Sequence, residues 1–133
     1  MSACAWSFEL NYAKPPRGLA ANDTGSRWYR IKATRVIRDE SFVRTRAAHV
    51  PALERIRIDV EWVVKTRRNR DASNLGLFTK PIYDGICASK GVSAHIVDDD
   101  SPEFCETPTP TIRYAPDEAP RFIVTITDLG LAP

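Results

Sequence analysis

The chain has 133 residues, 43% of them hydrophobic and 27% charged, with a net charge of +2. That length suits one domain, and the apolar content supports a core of its own and excludes a chain dominated by disorder. A charge so near balance does not by itself specify a polyanionic partner, so any such case rests on where the charges cluster.

Three cysteines, Cys4, Cys87 and Cys105, are odd in number and form no CxxC pair. They exclude a disulfide framework and read as thiols of a reducing compartment. The opening MSACAWSFEL lacks a basic n-region and a long apolar h-region. No apolar run approaches the roughly 20 residues of a membrane span. The expectation is a cytoplasmic protein with no membrane association.

Trp6, Phe8 and Leu10 alternate with polar neighbours and predict an opening strand. Lys14 to Ser26 is a loop, stopped by Pro15 and Pro16 and loosened by Gly18 and Gly25. Its Lys14 and Arg17 read either as phosphate contacts or as solvated charges. Ser26 can cap a helix running to about Ala48, with Tyr29, Ala33, Val36, Glu40, Val43 and Ala47 near one expected core face. Glu40 is the flaw in that stripe. The cations Arg30, Lys32, Arg35, Arg38, Arg44 and Arg46 on this helix read either as a nucleic-acid-facing side or as scattered surface charge. His49 falls at the helix end, where cationic side chains are favoured.

Arg55 to Val64 is the clearest strand. Ile56, Ile58, Val60, Trp62 and Val64 point one way, and Arg55, Arg57, Asp59 and Glu61 the other. Thr79 as N-cap and Pro81 in a first turn predict a second helix with Ile82, Tyr83, Ile86 and Cys87 inward and Gly91 near its end. Ala94 to Val97 is expected to be a short strand. A proline-rich stretch follows, with a strand near Thr109 to Tyr114, and Phe122, Val124 and Ile126 mark a last strand. No repeat or linker divides the chain. The whole of 1–133 therefore reads as one small α+β domain, a mixed or largely antiparallel sheet with two main helices.

The chemistry concentrates between Arg67 and Ser101. Lys65, Arg67, Arg68 and Arg70 lead into Asp71, Ser73 and Asn74. Lys80 and Asp84, four apart, share a helix face. Asp98, Asp99 and Asp100 close the stretch. Cations beside a split set of acids suit metal-dependent phosphodiester cleavage: carboxylates hold Mg²⁺, with Mn²⁺ as a substitute, and the basic residues hold the polyanion. In that reading Asp71 and the run Asp98 to Asp100 are the candidate metal-holding acids. The competing reading of the acid triplet is a solvated turn.

The ordered set Arg68-Asn-Arg-Asp71-Ala-Ser-Asn74, Lys80, Asp84-Gly85 and Asp99-Asp100-Ser101 resembles the RusA-type Holliday junction resolvases. Those proteins carry an R-D-x-D-N run, then a lysine, a helical acid and a D-D-S or D-D-A turn. The order of strands and helices extends the resemblance over nearly the whole chain. It implies a homodimer, dependence on Mg²⁺, and paired nicks in a four-way DNA junction in a bacterial cell or phage-infected host. By that resemblance Asp71 matches the first metal-binding acid and Asn74 the motif asparagine. Lys80 matches the lysine near the active site, Asp84 the helical acid, and Asp99 and Asp100 the final acidic pair. The resemblance thus implies Asp71, Asp99 and Asp100 as metal ligands and catalytic acids, with Lys80 stabilising phosphate charge. The chain departs from the pattern at Ser73, which stands where the family has an acid. The intervals from Asn74 to Lys80 and from Asp84 to Asp99 are also longer. Ser73 keeps a second expectation open, a non-catalytic junction- or DNA-binding protein of the same fold. A third is a plain interaction domain whose acids are turn residues.

Overall fold

The computed structural model of the chain describes residues 4–21 and 27–130. The expected cap at Ser26 lies outside the described residues. The elements, in order, are β1 (Ala5–Leu10), α1 (Arg27–Ala47), β2 (Ile56–Val64), a 3₁₀ turn (Ala72–Leu75), α2 (Gly76–Cys87), β3 (Cys105–Glu106), β4 (Thr111–Tyr114) and β5 (Arg121–Asp128).

β5 runs between β1 and β2, antiparallel to both. β3 and β4 lie parallel to β2, with β3 against Ile56 and Arg57 and β4 against Glu61 to Val64. The sheet is thus mixed and the class α+β, as the element pattern predicts. Its apolar face presents Phe8, Leu10, Ile56, Ile58, Val60, Phe122, Val124 and Ile126, which join Ile37 of α1 and Phe78, Ile82 and Ile86 of α2 in one core. Phe78 and Phe122 meet at 4.4 Å between ring centroids. The opposite face of β2 is charged and paired within the chain. Arg113 bonds Glu61 at 3.0 Å and Glu118 at 2.7 Å, and Arg121 bonds Glu118 at 3.0 Å and Glu9 at 3.1 Å.

Three expectations fail here, each for a physical reason. The buried face of α1 is Ile37, Ser41 and Thr45, whereas Tyr29, Val36 and Val43 of the expected stripe are 40%, 47% and 58% exposed. Small polar residues are buried because the helices approach closely. A Cβ on Gly85 of α2 would stand 2.5 Å from the Arg38 carbonyl oxygen and 3.0 Å from Ser41 Cβ.

The second helix begins at Gly76, so Thr79 is a buried interior residue and not a cap, and Pro81 sits inside the helix. The 3₁₀ turn feeds directly into α2 and supplies the start that Thr79 was expected to give. The helix also ends at Cys87, ahead of Gly91, although Gly91 does take a positive φ of 76°.

Residues 94–97 form no strand. The Ala94 and Ile96 N–H groups donate to the carbonyls of Gly85 and Ile86 at 2.8 and 3.1 Å, and Leu53 N–H donates to Ile96 at 2.7 Å. The segment satisfies carbonyls in the last turn of α2, which lack partners within the helix. His49 closes α1 with a φ of 58°, its N–H on the Arg46 carbonyl at 3.0 Å. Its position thus has a structural role, as the left-handed residue ending the helix.

Candidate functional site

Past Val64 the chain leaves the sheet with its run of cations. The Arg70 guanidinium donates to the carbonyl and hydroxyl oxygens of Thr66 at 2.8 and 3.0 Å. It also stands over the indole of Trp62, 5.2 Å from the ring centroid. Asp71 is extended, with φ −106° and ψ 113°, and caps the 3₁₀ turn. One of its oxygens accepts from Ser73 Oγ at 2.6 Å and from Ser73 N–H at 3.0 Å. These two donors, the hydroxyl first, hold the Asp71 carboxyl below its ordinary value. The two side chains meet because the backbone turns at Ala72, where the 3₁₀ turn begins.

Lys80 and Asp84 share a face of α2, as their spacing predicts. The ammonium reaches Asp84 Oδ1 at 2.8 Å and Asp100 Oδ2 at 3.5 Å. The bond to Asp84 raises the Lys80 pKa, burial works against it, and the charges of Asp84 and Asp100 add to the rise. Two carboxylates from separate segments therefore converge on one cationic point. Asp99 is half-buried, and Asp98 is exposed with its carbonyl 3.2 Å from His95 Nε2.

Among the described residues no three acids, imidazoles or thiols form a metal-ligand cluster. The predicted set Asp71, Asp99 and Asp100 is not gathered into one such group. What converges is Asp84 with Asp100, through Lys80, while Asp71 is joined to Ser73. Magnesium takes one or two carboxylates and completes its shell with water and substrate phosphate. Asp84 and Asp100 are two carboxylates held on one ammonium, which matches that demand in number.

The cations around β2 line open space. A cavity of about 480 Å³ is walled by Lys14, Trp62, Lys65, Arg68, Asn69 and Arg70, among others. A second, of about 220 Å³, shares Trp62, Asn69 and Arg70 and reaches Asp71 and Asn74. Arg67 stacks on Tyr114 at 4.3 Å. Lys14 and Arg17, grouped by their loop, part company: Lys14 joins the larger cavity, whereas Arg17 lies 4.0 Å above the ring of Tyr29. Arg38 of α1 is structural, donating to the carbonyls of Val92 at 2.6 Å and of Lys90.

Sequence reasoning assigned Trp62 only to the core and did not single out Asn69 or Tyr114. The available signal was an aromatic residue near a strand end, followed at once by cations. Cys87 and Cys105 are buried with Sγ atoms 3.4 Å apart, and Cys4 is exposed. The contact with Cys105, then burial, pushes the Cys87 thiol far up, consistent with an inert core thiol.

No protein-family model matches the chain, and a search of curated proteins returns no relative. The described residues contain no helix long and apolar enough to cross a membrane.

Proposed function

We propose that the chain is a Mg²⁺-dependent, structure-selective DNA endonuclease that resolves four-way junctions by paired nicks, in the manner of the RusA-type proteins it resembles. The observation that carries this reading is the meeting of Lys80, Asp84 and Asp100. These are residues from separate parts of the ordered sequence, brought to one point on the Lys80 ammonium. Lys14, Lys65, Arg67, Arg68 and Arg70 would hold the phosphate backbone, which fixes orientation without reading sequence. Asp84 and Asp100, with Asp71 and Asp99 nearby in sequence order, would hold Mg²⁺ or Mn²⁺. The bound ion supplies Lewis acidity and a more acidic water. Lys80 stabilises negative charge on the phosphate under attack.

The protein would act in the cytoplasm as a homodimer, because a junction offers two equivalent strands and one small chain offers one site. The charged face of β2 is already paired within the chain. The exposed stripe Tyr29, Val36 and Val43 of α1, with a spacing of seven, is the better contact between copies. Incubation of a labelled four-way junction with and without Mg²⁺ or Mn²⁺ tests the reading. Symmetric nicks that require the ion are expected, and an uncut junction across a range of both ions would overturn it.

One observation favours a second reading. Ser73 replaces a motif acid, and its hydroxyl occupies an Asp71 oxygen. A junction-binding protein that does not cut would shift a junction in a gel and yield no product. Its affinity would fall with salt by a log–log slope of about −0.9 per phosphate contact.

A further inference from the structure

We infer that the cavity between Trp62 and the basic segment is a subsite for one unpaired nucleotide of a DNA strand, with its base stacked on the indole and its phosphates on Lys14, Lys65 and Arg68. The inference rests on the nucleic-acid part of the proposed function and not on cleavage.

Among the described residues, the cavity walls carry four cationic side chains, Lys14, Lys65, Arg68 and Arg70, and no carboxylate. They therefore select an anion. A purely phosphate-binding surface has no use for an aromatic wall, yet Trp62 lines both this cavity and its neighbour. The indole is a fixed platform. Its N–H donates to the Ala13 carbonyl at 3.0 Å, and its ring stacks with Phe122 at 5.3 Å and an interplanar angle of 16°. Arg70 stands 5.2 Å from the ring centroid. That is an exposed cation–π contact, and the guanidinium is also held by Thr66. An exposed cation–π contact is weaker than a base stacked on an aromatic side chain, so a base can take the place of Arg70. The displaced guanidinium can then meet phosphate or the outer face of the base.

Asn69 lines the same space and brings an amide with both donor and acceptor atoms to the base edge. The larger cavity and the smaller one share Trp62, Asn69 and Arg70, and the smaller one reaches Asp71. A strand whose base enters beside Trp62 is thereby led toward Asp71. A paired base must first be unstacked, whereas a base already unpaired avoids most of that cost. The subsite therefore favours branched over continuous duplex DNA without reading sequence.

The test uses the full chain and three probes: a short oligothymidylate, a blunt duplex and thymidine 5′-monophosphate. The oligothymidylate should quench part of the tryptophan fluorescence and bind more tightly than the duplex. Trp62→Leu should weaken its binding roughly tenfold or more while leaving duplex binding within about twofold. Trp62→Phe keeps a ring against Phe122, so it guards against misfolding. It should retain strand binding and lose the quench. Arg68→Ala should weaken strand and duplex alike. Absence of quench in the wild type, or unchanged oligothymidylate affinity in Trp62→Leu, would overturn the inference and leave a plain anion surface. An equal, Trp62-dependent quench by the mononucleotide at similar concentration would assign the cavity to a free nucleotide and overturn the strand assignment. Junction cleavage measured on the same samples separates the two proposals. A strand-dependent quench without cleavage sinks the endonuclease alone, and cleavage with no contribution from Trp62 sinks the subsite alone.

Discussion

Ser73 Oγ lies 2.6 Å from Asp71 Oδ1 and donates to it, and the Ser73 N–H reaches the same oxygen at 3.0 Å. Ser73 thus supplies both donors that lower the Asp71 carboxyl. Asp71 is held below its ordinary 3.8, mainly by that hydroxyl. A depressed carboxyl contributes stability that is present above its unfolded value and is lost as pH falls through the folded value. Ser73→Ala should raise the Asp71 value toward its ordinary one, as read from the carboxyl carbon shift of Asp71, and so shrink this acid-side contribution. Ser73→Asp should place like charges in contact and lower Tm without divalent ion, then gain more from Mg²⁺ than the wild type does. Equal Mg²⁺-induced stabilisation of Ser73→Asp and wild type would remove Asp71 from the metal site.

Lys80 holds Asp84 and Asp100 on one ammonium, so its removal should act in opposite directions on binding and chemistry. Lys80→Met leaves two carboxylates near each other with no internal cation. Its Tm should fall in chelator and rise more steeply with Mg²⁺ than that of the wild type. Junction cleavage should drop by about a hundredfold or more, the usual cost of deleting an electrostatic stabiliser. A Mg²⁺ titration of Tm that overlays the wild type would dissociate Asp84 and Asp100 from metal binding.

The seam between α1 and α2 makes a prediction independent of function. Gly85→Ala must move the Arg38 carbonyl, 2.5 Å from the added carbon, and should cost about 1–3 kcal/mol in denaturant unfolding. Beside it, Ser41 Oγ is buried without a hydrogen-bond partner among the described residues. Ser41→Ala keeps the Cβ and removes the unsatisfied hydroxyl, so it should be neutral or stabilising by up to about 1 kcal/mol. Tolerance of Gly85→Ala would mean that the helices are not held so close.

That seam also explains what the sequence concealed. Alternation along Ile56 to Val64 and Arg121 to Asp128 displays the sheet plainly, since a period of two leaves one inward face. The face of α1 was illegible because close helix approach selects glycine, serine and threonine, which hydropathy reads as surface. The start of α2 was misread because Pro81, a first-turn residue by preference, is carried inside the helix. In the site, the spacing of Lys80 and Asp84 foretold their contact, but Asp100 joins them only through the loop at Ala94 and Ile96. Trp62 belongs to an apolar alternation, so only the fold reveals that it also walls a basic cavity.

Glu40, the flaw in the expected stripe, has a partner: the Tyr12 hydroxyl donates to its carboxylate at 2.7 Å. Burial first, then the bond and charge of Glu40, push the Tyr12 phenol from 10.0 to about 12. A raised value contributes stability that is intact below the unfolded value and is lost as pH rises through the folded one. Between pH 10 and about 12 the wild type should therefore lose more stability than Tyr12→Phe. Denaturant midpoints at about pH 9 and about pH 11 measure it, and parallel losses in the two proteins would refute the contact.

In the proposed homodimer, the apolar stripe that α1 leaves exposed is the expected contact between copies. Tyr29, Val36 and Val43 are exposed and recur at intervals of seven, the repeat that keeps one seam of a helix facing a partner helix. Val36→Asp with Val43→Asp should leave the fold intact, because both side chains are outside the core, and should shift the mass in light scattering from dimer to monomer. The consequence for activity follows from symmetry. A monomer carries one site and should nick one strand of a junction per encounter, so paired products should give way to singly nicked ones while Mg²⁺-induced stabilisation persists. If the double variant remains dimeric, the contact lies elsewhere. If the wild type is monomeric both free and on a junction, symmetric resolution is excluded and the non-cutting DNA-binding reading gains ground.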